Sequence, residues 1–139
     1  MRRTLALRWR VRVALLVVAV PPLLYLIPTN RLVGFLGRLG HAPRPDLAAL
    51  VAEVDAWQWR LPWPWRSTCL KRSTVLYALL RRMGDPVSLR IGVRRDDGGT
   101  FLAHAWLMRD NEVYLEPASS DPSTFSVIVE FPEPIAGRA

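Results

Sequence analysis

Apolar residues recur along this chain with three rhythms, and each predicts a different kind of element. From Val13 to Ile27 there are fifteen uncharged, largely apolar residues between Arg12 and Arg31. Pro21 and Pro22 fall in the middle and should break or kink a helix there, so two helices docked on the domain or lying in a membrane interface fit better than one span. Residues 37–45, rich in Gly, Pro and His, read as a linker. Asp46 is placed as an N-cap, and Leu47, Leu50, Val51, Val54 and Trp57 form the stripe of an amphipathic helix ending near Arg60. Pro62 and Pro64 then impose an extended path. A second helix is expected from Cys69 to about Met83, capped by Thr68 or Ser67 and stopped by Gly84, with Leu70, Leu76, Tyr77, Leu80 and Met83 on its buried side. After it the period changes from 3.6 to 2. Val87, Leu89, Ile91 and Val93 alternate with Ser88, Arg90, Gly92 and Arg94, Asp96-Asp97-Gly98-Gly99 signals a turn, and strands follow at residues 100–108, 112–116 and 125–131. The predicted class is α+β: a helix packed on a small antiparallel meander, preceded by a hydrophobic helical arm. Residues 1–44 would be the arm and linker, and residues 45–139 the domain proper.

Length and composition agree with one folded core: 139 residues, 50% of them hydrophobic and 22% charged. The lone cysteine, Cys69, excludes an internal disulfide and leans toward a reducing, cytoplasmic setting. The net charge is +7, and Arg2, Arg3, Arg8, Arg10 and Arg12 lie within the first twelve positions. A basic, apolar start suits an anionic membrane surface or an acidic partner, met through residues 1–36. It lacks the small-x-small site that would follow a secretory signal. With no zinc-ligand spacing, phosphate loop or helix-turn-helix pattern, nucleic acid is not an expected partner.

The chemistry is concentrated at Cys69 and His104. The positive end of a helix dipole favours a thiolate at the first turn, and the amide N–H groups there can hold an oxyanion. Against that stands the ordinary reading of a lone cysteine as a small buried hydrophobe. His104 lies mid-strand in Phe101-Leu102-Ala103-His104-Ala105-Trp106, where packing alone gives little reason for a histidine; Trp106 is read as core. A third group must orient the ring. With a three-residue hairpin loop, Arg109-Asp110-Asn111, Met108 pairs with Glu112 and His104 comes to face Glu116. A two-residue loop would set His104 opposite Pro117 instead. Trp63 and Trp65, just before the cysteine, can wall a cleft and grip an extended peptide.

The run Cys69-Leu70-Lys71-Arg72-Ser73, the helix end Leu80-Arg81-Arg82-Met83-Gly84, the strand Leu89-Arg90-Ile91-Gly92-Val93 and the block Ala103-His104-Ala105-Trp106-Leu107 together resemble the transglutaminase-like leader peptidases of lasso-peptide biosynthesis. The resemblance covers about Trp57 to Pro117. It implies a papain/transglutaminase-like fold and a cysteine protease that removes the leader from a ribosomally made precursor. By matching position Cys69 is the nucleophile, His104 the base and Glu116 the acid; the family usually has Asp there, so Glu116 is a departure. No metal or organic cofactor is needed. The implied partners are the precursor peptide, a separate leader-recognition protein and an ATP-dependent macrolactam synthetase. Two other readings stay open: a transglutaminase-like amidase or acyltransferase on another peptide, and a non-catalytic, membrane-attached interaction module.

Overall fold

The structure, a computed structural model, describes residues 5–38, 40, 42–61, 68–117 and 121–132. Its first helix, α1 (Leu7–Leu26), continues through Pro21 and Pro22 instead of breaking there. Each proline removes a backbone donor and costs about 3 kcal/mol in a helix interior. Trp9, Val13, Val17 and Val20 repeat at helical spacing and are almost wholly buried. Their burial, at about 1.5–3 kcal/mol for each large side chain, outweighs that cost. The chain turns at Ile27-Pro28 into α2 (Thr29–Leu36).

The expected linker is strapped to the fold. Gly40 N–H donates to the Arg81 carbonyl at 2.9 Å and Ala42 N–H to that of Arg82 at 3.2 Å. A side chain on Gly40 would meet the Arg82 carbonyl, so only glycine permits this approach. Helix α3 (Leu47–Arg60) starts where Asp46 accepts from the Ala49 amide. Helix α4 (Cys69–Arg82) starts where the Thr68 hydroxyl accepts from the Lys71 amide. It ends in a Schellman motif, with Gly84 at φ 82° and the amides of Gly84 and Asp85 bonded to the carbonyls of Arg81 and Leu80.

Helix α4 is more enclosed than its pattern suggests, being buried on every side from Ser73 to Leu80. Helices α1, α2 and α3 pack on it as well as the sheet. The arm therefore contributes to the same core as the rest: Trp9, Val13, Val17, Val20 and Val33 join Leu50, Val54, Leu76, Leu79, Leu89 and Leu107 in one cluster. The 44/45 boundary separates stretches of chain and does not divide two cores.

Four antiparallel strands form the sheet: β1 (Ser88–Arg95), β2 (Phe101–Arg109), β3 (Glu112–Tyr114) and β4 (Ser126–Phe131), in the order β3-β2-β1-β4. It is a meander only as far as β3. The chain then passes through a 3₁₀ turn at Pro122–Thr124 and returns to pair with β1 on the far edge. The register between β1 and β4 shifts at Ile91/Gly92, where Ile91 faces Val129 and Gly92 faces Val127, leaving Ile128 as the bulged residue.

Candidate active site

The hairpin after His104 decides where its acidic partner falls. Asp110 and Asn111 both take left-handed conformations, φ 51° and 64°, which makes a two-residue type I′ turn. Arg109 consequently pairs with Glu112, Met108 with Val113 and Leu107 with Tyr114. This is the other register from the three-residue loop expected from sequence. Continued regularly, it would set Ala105 opposite Glu116 and turn the carboxylate away from the side of the strand that carries His104.

Leu115 changes that outcome. The ladder stops at Tyr114, and Leu115 takes φ 58°, a conformation costing a residue with a side chain roughly 1–2 kcal/mol. One left-handed residue breaks the alternation, and Glu116 swings to His104: Oε2 lies 2.8 Å from Nε2. The expected pair thus forms by a kink where a ladder had been expected. The two side chains are mostly enclosed, 17% exposed for His104 and 9% for Glu116, so their bond is little weakened by water.

Two side chains of α4 hold this arrangement against the helix that carries Cys69. Arg72 donates to the Leu115 carbonyl at 3.0 Å and to Asp55 of α3 at 2.8 Å, clamping the strained peptide between two helices. Ser73 donates to the carbonyl of Ala105, the neighbour of His104, at 3.1 Å. Cys69 lies one turn before Ser73, at the first residue of α4, and is half-buried. The Arg72 amide bonds to the Thr68 carbonyl, so the amides of Cys69 and Leu70 lie ahead of the helix's own ladder and point where an oxyanion could be held.

His104 is also held by aromatic rings. Trp106, two residues along β2, stacks on it at 5.7 Å between centroids and 19° between planes, and Phe125 tilts against it at 5.3 Å. Trp106 is buried, as its reading as core expects, and its ring lies in this aromatic cluster beside His104 and Phe125. Gly92, the β1 partner of His104, makes room: a Cβ there would lie 2.8 Å from Trp106 Cη2 and 3.0 Å from both Phe125 Cβ and the Ser126 carbonyl.

Sequence reasoning gave no role to Arg72, Ser73, Gly92 or Phe125. A glycine inside an alternating strand is the available signal for Gly92; Arg72 and Ser73 lie in the polar run Lys71-Arg72-Ser73-Thr74, whose burial no local pattern announces. Trp63 and Trp65, the expected substrate grip, lie outside the described residues. Among the described residues no three His, Cys, Asp or Glu side chains cluster as a metal ion would need.

No curated protein and no solved structure matches the chain. The sequence profile of the transglutaminase-like superfamily matches residues 7–130, from the start of α1 almost to the end of β4. Members of that superfamily are typically cysteine-based enzymes. Matched over nearly its whole length, this chain belongs to the transglutaminase-like superfamily.

Proposed function

We propose that the protein is a cysteine peptidase that removes the leader from a ribosomally made lasso-peptide precursor, with Cys69 as nucleophile, His104 as base and Glu116 as the acid that orients it. The observation that supports the chemistry most is the 2.8 Å contact between Glu116 and Nε2 of His104, clamped to the helix turn adjoining Cys69. The substrate rests on the resemblance of the four sequence blocks.

Glu116 takes Nε2, so Nδ1 is the nitrogen that exchanges a proton with the Cys69 thiol. The sulfur attacks the scissile carbonyl carbon, and the resulting oxyanion is held by the amide at the start of α4. As the carbon–nitrogen bond breaks, the imidazolium gives its proton to the leaving amine and a thioester remains. Water then gives a proton to His104 and attacks the thioester, and the departing thiolate recovers that proton. Peptide and water become two fragments, with the enzyme restored. The reaction would take place in the cytoplasm, where a lone thiol stays reduced, alongside a separate leader-binding protein and the ring-closing synthetase that the resemblance implies.

Mass spectrometry of the co-encoded precursor, incubated with this protein and the leader-binding partner, tests the reading. A single cut with wild type and none with Cys69→Ala is the expected result. An intact precursor in both, although the partner binds the leader, would overturn it in favour of amidase or acyltransferase work on another peptide or of a non-catalytic interaction module.

A further inference from the structure

Helix α1 has two apolar faces, and the fold uses one. Trp9, Val13, Val17 and Val20 enter the core, while Leu7, Val11, Leu15 and Val18, offset by two residues and therefore about half a turn away, stand in solvent at 74%, 48%, 64% and 45% exposure. At 100° per residue, Tyr25 and Leu26 continue the same outer stripe, about 100° wide. Phe35 of α2 is also exposed. Monomeric soluble proteins rarely leave so long an apolar row in water without a partner.

The charge around this face identifies the partner. The first 45 residues hold eight arginines and no acidic residue, whereas residues 46–139 hold 11 basic and 12 acidic ones. The entire excess of +7 therefore sits on the segment that bears the exposed stripe. Arg8 borders the row near its start, and Arg31 and Arg38 are exposed near its other end. A twofold contact between copies would set this arginine-rich, acid-free segment against itself. An anionic lipid surface supplies both the apolar medium and the opposite charge.

We propose that the outer face of α1, continued by α2, docks the protein peripherally on an anionic bilayer. Arginine side chains reach the headgroups while Leu7, Val11, Leu15 and Val18 enter the acyl boundary. The helix is long and apolar enough to cross a membrane. Crossing would extract Trp9, Val13, Val17 and Val20 from the core, so the docking is parallel to the surface.

The test is co-sedimentation of the full chain with sucrose-loaded vesicles of phosphatidylcholine alone or with about one-third phosphatidylglycerol. Binding should be at least about tenfold tighter to the anionic vesicles, weaken with salt, and be stripped by carbonate washing. Leu15→Glu, at a site exposed enough to leave the thermal midpoint unchanged, should lower it by about tenfold or more, and Arg8→Glu should lower it only on anionic vesicles. Equal binding to both vesicle types, resistance to carbonate, or unchanged binding by Leu15→Glu would each overturn the proposal. So would absence of vesicle binding together with a dimer in ultracentrifugation that Leu15→Glu dissociates.

Discussion

Gly92→Ala introduces one methyl group opposite His104, and its consequences can be worked from three distances. The new Cβ would lie 2.8 Å from Trp106 Cη2 and 3.0 Å from Phe125 Cβ and the Ser126 carbonyl oxygen. Ordinary contacts to carbon begin near 3.5 Å, so each neighbour must give by several tenths of an ångström. The Ser126 carbonyl belongs to β4, which is bonded to β1 on either side of the bulge, and Phe125 Cβ moves only with its backbone. Trp106 is the side chain able to shift, and it stacks on His104. Overpacking of this kind costs about 1–3 kcal/mol. For a chain of this size that is roughly 3–4 °C in thermal midpoint per kcal/mol, with slower labelling of Cys69 by iodoacetamide as His104 leaves its position. Calorimetry and labelling rates check the two parts. Trp106→Leu, by vacating the ring volume, should recover at least half of the lost stability in the double variant without restoring the labelling rate. A Gly92→Ala protein as stable and as reactive as wild type would refute the account of Gly92 as the residue that admits the aromatic cluster.

Glu116→Gln keeps the shape of the acid and removes its charge; losing a charge-assisted bond worth about 1.5–3 kcal/mol should lower kcat by roughly 10- to 100-fold with little change in KM, as read by precursor-cleavage kinetics. Arg72→Lys keeps a charge but cannot span Asp55 and the Leu115 carbonyl in the same fork geometry, so the rate of precursor cleavage should fall. Burial raises the Tyr77 phenol above its usual value near 10, with Arg81 pulling weakly the other way. Its contribution to stability is complete below pH 10. It is lost as pH climbs from there through the folded value, because the unfolded chain ionises first. Urea unfolding at pH 9 and pH 11.5 should show a steeper loss in wild type than in Tyr77→Phe.

Local rules carried much of the fold. Asp46 and Thr68 cap α3 and α4 as their side-chain chemistry predicts, Gly84 ends α4, and the change of period from 3.6 to 2 falls between α4 and β1. The prolines of α1 were misjudged because their penalty is local, whereas the burial that offsets it comes from α3 and α4. The pattern of α4 marks only one buried side, because no single-helix pattern reports that three other helices will cover the rest.

At the candidate site the residue types were legible and their geometry was not. Helix-start placement singles out Cys69 and a polar ring in an apolar strand singles out His104, whereas Glu116 is reached through an assumed three-residue loop that does not form, and through the resemblance. Their relation depends on which of two hairpin loops forms, and the two-residue loop that forms would by itself turn Glu116 away. The left-handed turn at Leu115 restores the contact, and it persists because Arg72 holds that carbonyl and the leucine side chain packs on the core. Short-range pattern specifies capping, period and chemistry, since these need only neighbours in sequence. A strained backbone angle, the space beside a glycine and the unused face of a helix are fixed by groups far apart in the chain, so only the assembled tertiary structure determines them.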